Sequence, residues 1–465
     1  NIRCGNTLVG YATEAQFDEA SKFFNSEHRA EIKARMADLA DSFARFRELQ
    51  TVHGADVKAI DKNRLRNNLD SLSLELDRYL ARDYGIDAND IPAFNAWRIT
   101  YQPFHWFSEF YGIMLAGGFD VIIGNPPYVV YSRQKIPYDL SISGISTLSA
   151  GNLYAYVLER SVKIATSNAP ISLIVQLTAI SSGRMQSLQD ILLERGLFLV
   201  LPFPRRPESM FDGVEMPVAI LSSFPRNRQS LISTRVGRMY SEERNNCLQK
   251  IFMLQHENRL HGYRLGKLHN ELEKSIASKV SSSRDSARYL VSSCADKYPV
   301  FYQEACRYWL KAQAGLPFFS RNGVIMQPPH GRVFYAINEN ASAFFGCLLN
   351  SSLFYWYYSV FSDCEHVNDD LVKTIPLPSE WDKFCWTDLS INLSKALERH
   401  SSRKIIRTKQ GHLIEYDEMK ASMAKSEIDN IDLELGNLYG FDEYEMDFII
   451  NYDLKYRMSG VGDEE

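Results

Sequence analysis

Asn125-Pro126-Pro127-Tyr128 is the stretch whose residue types and spacing could do chemistry. It follows Phe119-Asp120-Val121-Ile122-Ile123-Gly124, an apolar run of strand length, and so falls at the carboxyl end of a strand, where open α/β sheets hold ligands. The Asn125 side-chain carbonyl and the Pro126 backbone carbonyl make two acceptors. Consecutive prolines fix φ and remove competing N–H donors, so these directions are rigid. Such a pair suits an amino group conjugated to a ring, as on adenine. That nitrogen is a poor nucleophile until both hydrogens are gripped and its lone pair is turned toward an electrophilic methyl. Tyr128 adds a flat face on which an extruded base could stack, offsetting part of an unstacking cost of a few kcal/mol. Without that chemistry, the same four residues read as a proline turn closing a strand.

The surrounding sequence alternates in the manner of a wound α/β sheet. A helical pattern over residues 153–165 leads to an apolar strand at 171–177, a helix at 185–194 and a strand at 197–201. Residues 216–222 follow after a short Pro-containing connection, which predicts an antiparallel hairpin at one end of the sheet. The strand at 119–124 is expected at the sheet centre, because parallel strands buried on both faces read as continuous apolar runs. Upstream, Ile32, Met36, Leu39, Phe43 and Phe46, then Leu65, Leu69, Leu72, Leu76 and Tyr79, recur at helical spacing. They predict two amphipathic helices turning near His53-Gly54, an insertion that buries against itself and carries no chemistry.

Composition narrows the class without deciding the partner. The chain has 465 residues, 45% hydrophobic and 23% charged, and a formal net charge of -5. Any nucleic-acid surface must therefore be a local basic patch on an acidic body. Cys4, Cys247, Cys294, Cys306, Cys347, Cys364 and Cys385 stand singly, without zinc spacing, so reduced cytoplasmic thiols and no metal site are expected. Residues 341–362 lack charge and are long enough to cross a bilayer, but Asn350, Ser351 and Ser352 at their centre predict a buried protein helix instead. The chain opens on Asn1 and enters what reads as a short strand at residues 2–6, so it is expected to lack its true beginning.

Asn125-Pro126-Pro127-Tyr128 resembles motif IV of the amino-group DNA methyltransferases, specifically their adenine-modifying gamma class. Phe104-His105-Trp106-Phe107, Gly117-Gly118-Phe119-Asp120 and the closing Tyr439-Gly440-Phe441 through Asp453 resemble the methylase part of type IIG restriction-modification enzymes. The resemblance implies a Rossmann-like class I methyltransferase sheet, incomplete at its N-terminus, with a helical insertion and a C-terminal α+β target-recognition domain. The expected divisions are residues 1–11 for the first strand, 12–118 for a mainly helical insertion and 119–225 for the catalytic core. Residues 226–380 would be the target-recognition domain and 381–465 a helical tail.

The resemblance also assigns roles. Asn125, Pro126, Pro127 and Tyr128 would be catalytic, and Phe211 would stack on the base opposite Tyr128, with ordinary core packing an equal reading. Asn6 and Asn152 would contact S-adenosylmethionine, each standing where the family more often has Asp. The glycine-containing turn and the acid that complete such a donor site have no counterpart ahead of Asn6. Lys311, Arg321 and Arg332 are the expected DNA contacts, although each by itself reads first as a solvated surface charge. Double-stranded DNA is the implied partner, together with a missing N-terminal half or a separate subunit. Two other readings stay open: a non-catalytic or split DNA-binding subunit, and a protein glutamine methyltransferase, whose chains are short and lack a large second domain.

Overall fold

A computed structural model describes residues 3–22, 26–51, 59–132, 134–249, 251–256, 262–294 and 297–459. The chain forms two compact units. Asn1–Val175, Arg184–Leu199 and Ile220–Gln229 make the first; Gln176–Gly183, Val200–Ala219 and Ser230–Glu465 make the second.

In the first unit, helices α1 (Ser26–Thr51) and α2 (Ala59–Asp83) pack together. They bury Ile32 and Met36 from one, and Leu69, Leu72, Leu76 and Leu80 from the other. Arg35 and Glu75 bridge them at 2.5 Å. The turn expected near His53-Gly54 and the side chains of Phe43 and Phe46 lie outside the described residues. Helix α3 (Ile91–Tyr101) starts at Asp90, whose carboxylate accepts from Ala93 N at 3.1 Å, with Pro92 in the first turn where its missing N–H costs nothing.

Gly118 then turns the chain into the sheet. Its φ is +115°, and a Cβ there would strike the Ile164 carbonyl, so only glycine passes. Strand β1 (Ile122–Gly124), helix α4 (Leu153–Ile164) and strand β2 (Ile171–Gln176) form a β-α-β crossover, with Ile122 opposite Ile171 and Gly124 opposite Leu173 in parallel. Helix α5 (Gln186–Glu194), strand β3 (Gly196–Phe203) and strand β4 (Val218–Pro225) follow. The strand order is β1-β2-β4-β3. Ser172 Oγ faces Ser222 Oγ at 2.8 Å, while Leu177 N reaches Pro217 O at 3.1 Å, so β4 runs against β2. The fold is mixed α/β with a mixed sheet.

The sheet differs from the expected one in three places. β4 stands between β2 and β3 and not at an end, because its apolar residues Val218, Ala219 and Leu221 are buried on joining there. β1 ends the strand order instead of occupying its centre, and Ile123 is 77% exposed. Among the described residues no strand pairs its outer edge. The opening segment also stays apart from the sheet, since Asn6 bridges Pro103 in parallel and its N–H donates to Gln102 O at 2.8 Å.

In the second unit the far ends of β4 and β3 continue to β5 (Ser230–Thr234) and β6 (Met253–His256), paired antiparallel. Helix α6 (Glu271–Ser281) leads to two small antiparallel sheets. One has the order β11-β7-β8, from β7 (Pro299–Gln303), β8 (Ala312–Ala314) and β11 (Gly331–Tyr335). The other has the order β10-β9-β13-β12, from β9 (Phe319–Arg321), β10 (Val324–Ile325), β12 (Ser401–Arg407) and β13 (Leu413–Met419).

The uncharged run is the core of this unit. Helices α7 (Glu339–Asn350) and α8 (Ser352–Phe361) are buried nearly throughout, including Trp356, Tyr355 and Tyr357. Their polar junction is satisfied internally: Ser352 N and Leu353 N donate to Asp432 at 3.1 and 3.0 Å, and Asn350 Nδ2 donates to Ala312 O and Gly346 O. No helix among the described residues is long and apolar enough to cross a membrane. The segment 381–465, expected as a helical tail, contains the β12–β13 hairpin between helices Thr387–Arg399 and Lys425–Tyr439. Its β-branched Ile405 and Ile406 and the turn at Gly411, with φ +85°, outweigh the helical pattern on either side.

Candidate active site

The Asn125 turn leaves β1 with its residues sorted by exposure. Asn125 and Pro127 are exposed, Pro126 is buried and Tyr128 is half-buried. Pro126 thus anchors the turn while Asn125 faces outward. Tyr128 is braced at both ends of its ring: its hydroxyl donates to Ile174 O in β2 at 3.0 Å, and the Tyr154 ring meets it at 86° with centroids 6.3 Å apart. Burial pushes its phenol pKa up, so it stays a neutral donor.

The chain beyond the turn is clamped to the start of α4. Val130 bridges Asn152 antiparallel, Leu153 N donates to Val129 O at 3.0 Å and Tyr131 N donates to Gly151 O at 3.0 Å. Asn152 is therefore brought beside the Asn125–Tyr128 turn. Its carboxamide accepts from Tyr154 N at 3.4 Å as the N-cap of α4. Glu159, one helical stretch on, holds the preceding loop: it accepts from Ser146 N at 3.0 Å, Thr147 N at 2.9 Å and Thr147 Oγ1 at 2.8 Å, and pairs with Lys163 at 2.8 Å. Burial alone would raise its pKa, but Lys163 and these donors lower it to about 2.

Asn6 belongs to the same unit but serves its own turn, accepting from Leu8 N at 3.1 Å. That turn is tied to α4 by buried Arg160, which donates to Leu8 O at 3.1 Å. The residues expected at the methyl donor thus do not fit it unaided. The Asn6 and Asn152 carboxamides each accept from their own backbone, and β1, which leads into the turn beside Asn152, ends the described sheet.

Phe211 lies in the second unit, half-buried in a turn where its carbonyl accepts from Ser209 Oγ at 3.2 Å and Val214 N at 3.3 Å. The three expected DNA contacts are not brought together. Arg332, on β11, is bound to Glu304 and lies 3.5 Å from Asp369. Lys311 precedes β8, on the other side of β7, and lines an apolar cleft of about 390 Å³ with Phe301, Phe319, Pro328 and Tyr416. Arg321 is exposed in the other small sheet. Sequence reading missed Tyr154 as the brace of Tyr128, although its place two residues past an N-capping Asn was visible, and missed the β12–β13 hairpin altogether.

Residues 45–201 match the Eco57I restriction-modification methylase family. Solved structures of restriction-modification enzymes and methyltransferase subunits match parts of the chain. The type IIL enzyme MmeI, solved in complex with DNA, matches at 11% identity over 73% of this chain and 57% of its own, with a TM-score of 0.40. A nuclease-deletion mutant of the type ISP enzyme LlaGI, with a DNA substrate mimic, matches at 9% identity over 80% and 54%, with a TM-score of 0.35. The type I methyltransferase subunit from Streptococcus thermophilus matches at 17% identity over 29% and 31%, with a TM-score of 0.21. This chain thus spans about a third to just over half of each of these chains. No curated protein matches it.

Proposed function

We propose that the chain carries the base-accepting and DNA-reading parts of an adenine-specific DNA methyltransferase of the gamma class, within a restriction-modification system. The observation that carries this is an exposed Asn125 at the carboxyl end of a parallel strand, followed by buried Pro126 and a Tyr128 ring braced by Ile174 O and Tyr154. The core would be the Rossmann-like type, with residues 226–380 as target-recognition domain and Lys311, Arg321 and Arg332 among its DNA contacts.

In this reading a flipped adenine stacks on Tyr128. Asn125 Oδ1 and Pro126 O accept the two amino hydrogens and turn the nitrogen lone pair outward. S-adenosylmethionine would supply the electrophilic methyl. Asn6 and Asn152 each accept a hydrogen bond from the backbone of their own turn. A second reading, in which further polypeptide completes the site, is favoured by the open outer edge of β1, where Val121 and Ile123 are 58% and 77% exposed. The protein glutamine alternative has no such support, and the large second unit suits a DNA reader better.

The test is to express the protein from its complete coding sequence in a host without DNA methylases and analyse the host nucleosides by mass spectrometry. N6-methyladenine is expected. Methylated cytosine alone, or methyl label only in protein, contradicts the proposal.

A further inference from the structure

The second unit carries a β-wing with an unusual distribution of exposure. All of β12 beyond Ser401 is exposed, including Ile405 at 62% and Ile406 at 46%, and at the opposite edge Val324 and Ile325 are 65% and 72% exposed. Cross-strand register aligns Ile406, Ile414, Arg321 and Val324 in one row, and Ile405, Glu415, Ser320 and Ile325 in the next, so exposed apolar residues occupy both faces. A sheet of this size gains little from exposing such residues, and patches of this kind mark binding surfaces.

The two turns of the wing are fastened side by side. Asn322 N donates to Leu413 O at 2.7 Å, Leu413 N donates to Asn322 Oδ1 at 2.8 Å, and Asn322 Nδ2 lies 3.1 Å from His412 Nδ1. Cations along the hairpin fall into two sets. Those nearer the base are neutralised across the strands, Arg403 by Asp417 at 2.6 Å and Lys404 by Glu418 at 3.2 Å. Arg407, Lys409 and Arg321, close to the fastened turns, are exposed and have no carboxylate partner among the described residues. Guarding an edge strand against aggregation would account for lysines along β12, but not for unneutralised charge gathered at the turns of an acidic protein.

We propose that this wing is a DNA-binding element whose tip enters the major groove of duplex DNA. The β12–β13 hairpin is a two-stranded ribbon of the width that groove admits; Arg407 and Lys409 at its turn would meet phosphates at the groove walls, Gln410 would reach base edges and Ile405 would meet thymine methyls, while Arg321 on the adjoining β9 would meet a phosphate outside the groove. The proposal rests on the DNA reading given above, and names a surface of which only Arg321 was expected from sequence.

The experiment is binding of the full chain to a mixed-sequence duplex across a salt titration, comparing Arg407→Ala/Lys409→Ala with a control, Lys22→Ala/Lys383→Ala, that removes the same charge from exposed sites elsewhere. The wing variant should bind at least tenfold more weakly at low salt, with a slope of log affinity against log salt shallower by about 2, as two phosphate contacts require. The control should match the unaltered chain, and methyl green, a major-groove ligand, should displace it where netropsin does not. Unchanged affinity and slope in the wing variant, or displacement by netropsin alone, overturns the wing assignment and leaves the methyltransferase reading standing. Failure of the unaltered chain to bind duplex DNA overturns both.

Discussion

Tyr128 donates its hydroxyl to the backbone carbonyl of Ile174, 3.0 Å away in the neighbouring strand, so the aromatic ring that follows the proline turn is held from its far end. The bond satisfies a partly buried hydroxyl, as packing alone would require, and it also fixes the orientation of a ring that would present its face to a ligand.

Tyr128→Phe should therefore separate tether from ring. Loss of the hydrogen bond should cost about 1 kcal/mol of stability in denaturant titration and lower methylation less than tenfold. Tyr128→Ala removes the stacking face as well, worth roughly 1–3 kcal/mol per base, and should weaken binding of an extruded 2-aminopurine by about 10- to 100-fold.

Asn152 caps α4 and lies beside the turn, so two substitutions distinguish its parts. Asn152→Ala should cost about 1 kcal/mol through the lost cap, whereas Asn152→Asp keeps an acceptor at the helix N-terminus and should be neutral or stabilising. Thermal unfolding of both variants checks this.

Glu159 gives the loop before Asn152 a pH dependence. Its folded pKa is lowered to about 2 from an ordinary 4.5. The stability it contributes is present above the ordinary value and lost as pH falls through that window, amounting to roughly 3 kcal/mol. Denaturant midpoints of the unaltered chain should fall over that range, and Glu159→Gln should flatten the slope there.

Asp432 should behave in the opposite sense. Burial raises its pKa to about 6 from 3.8, although the N–H groups of Ser352 and Leu353 pull the other way. The folded state holds the proton more tightly, so stability from this group is highest below pH 3.8 and falls as pH rises to about 6. Asp432→Ala should cost about 1–3 kcal/mol, because it leaves two buried N–H groups without an acceptor.

The β-α-β rhythm from Phe119 to Phe224 was legible because each element carries its own period and punctuation: Asn152 caps α4, and Gly118 bends the chain into β1. Local signals cannot show which strand becomes an edge, since that depends on partners distant in sequence. Hence Ile123 reads as buried and stands exposed. The proline turn at the end of β1 was legible as a turn because its rigidity is local. The brace from Tyr154 and the ion pair of Arg332 with Glu304 join residues 26 and 28 apart, and no periodicity encodes them. The β12–β13 hairpin was hidden between two helices because its charged, exposed strand lacks the alternation of a half-buried one.

The most direct measurement is Asn125→Ala in the protein expressed from its complete coding sequence, with methyl transfer to DNA and DNA affinity followed side by side. The account predicts loss of methylation by about a hundredfold or more, as for one removed transition-state hydrogen-bonding group, with affinity unchanged within about twofold. Equal loss of both, or retained methylation, would contradict the assignment of Asn125 as the acceptor that grips the amino group.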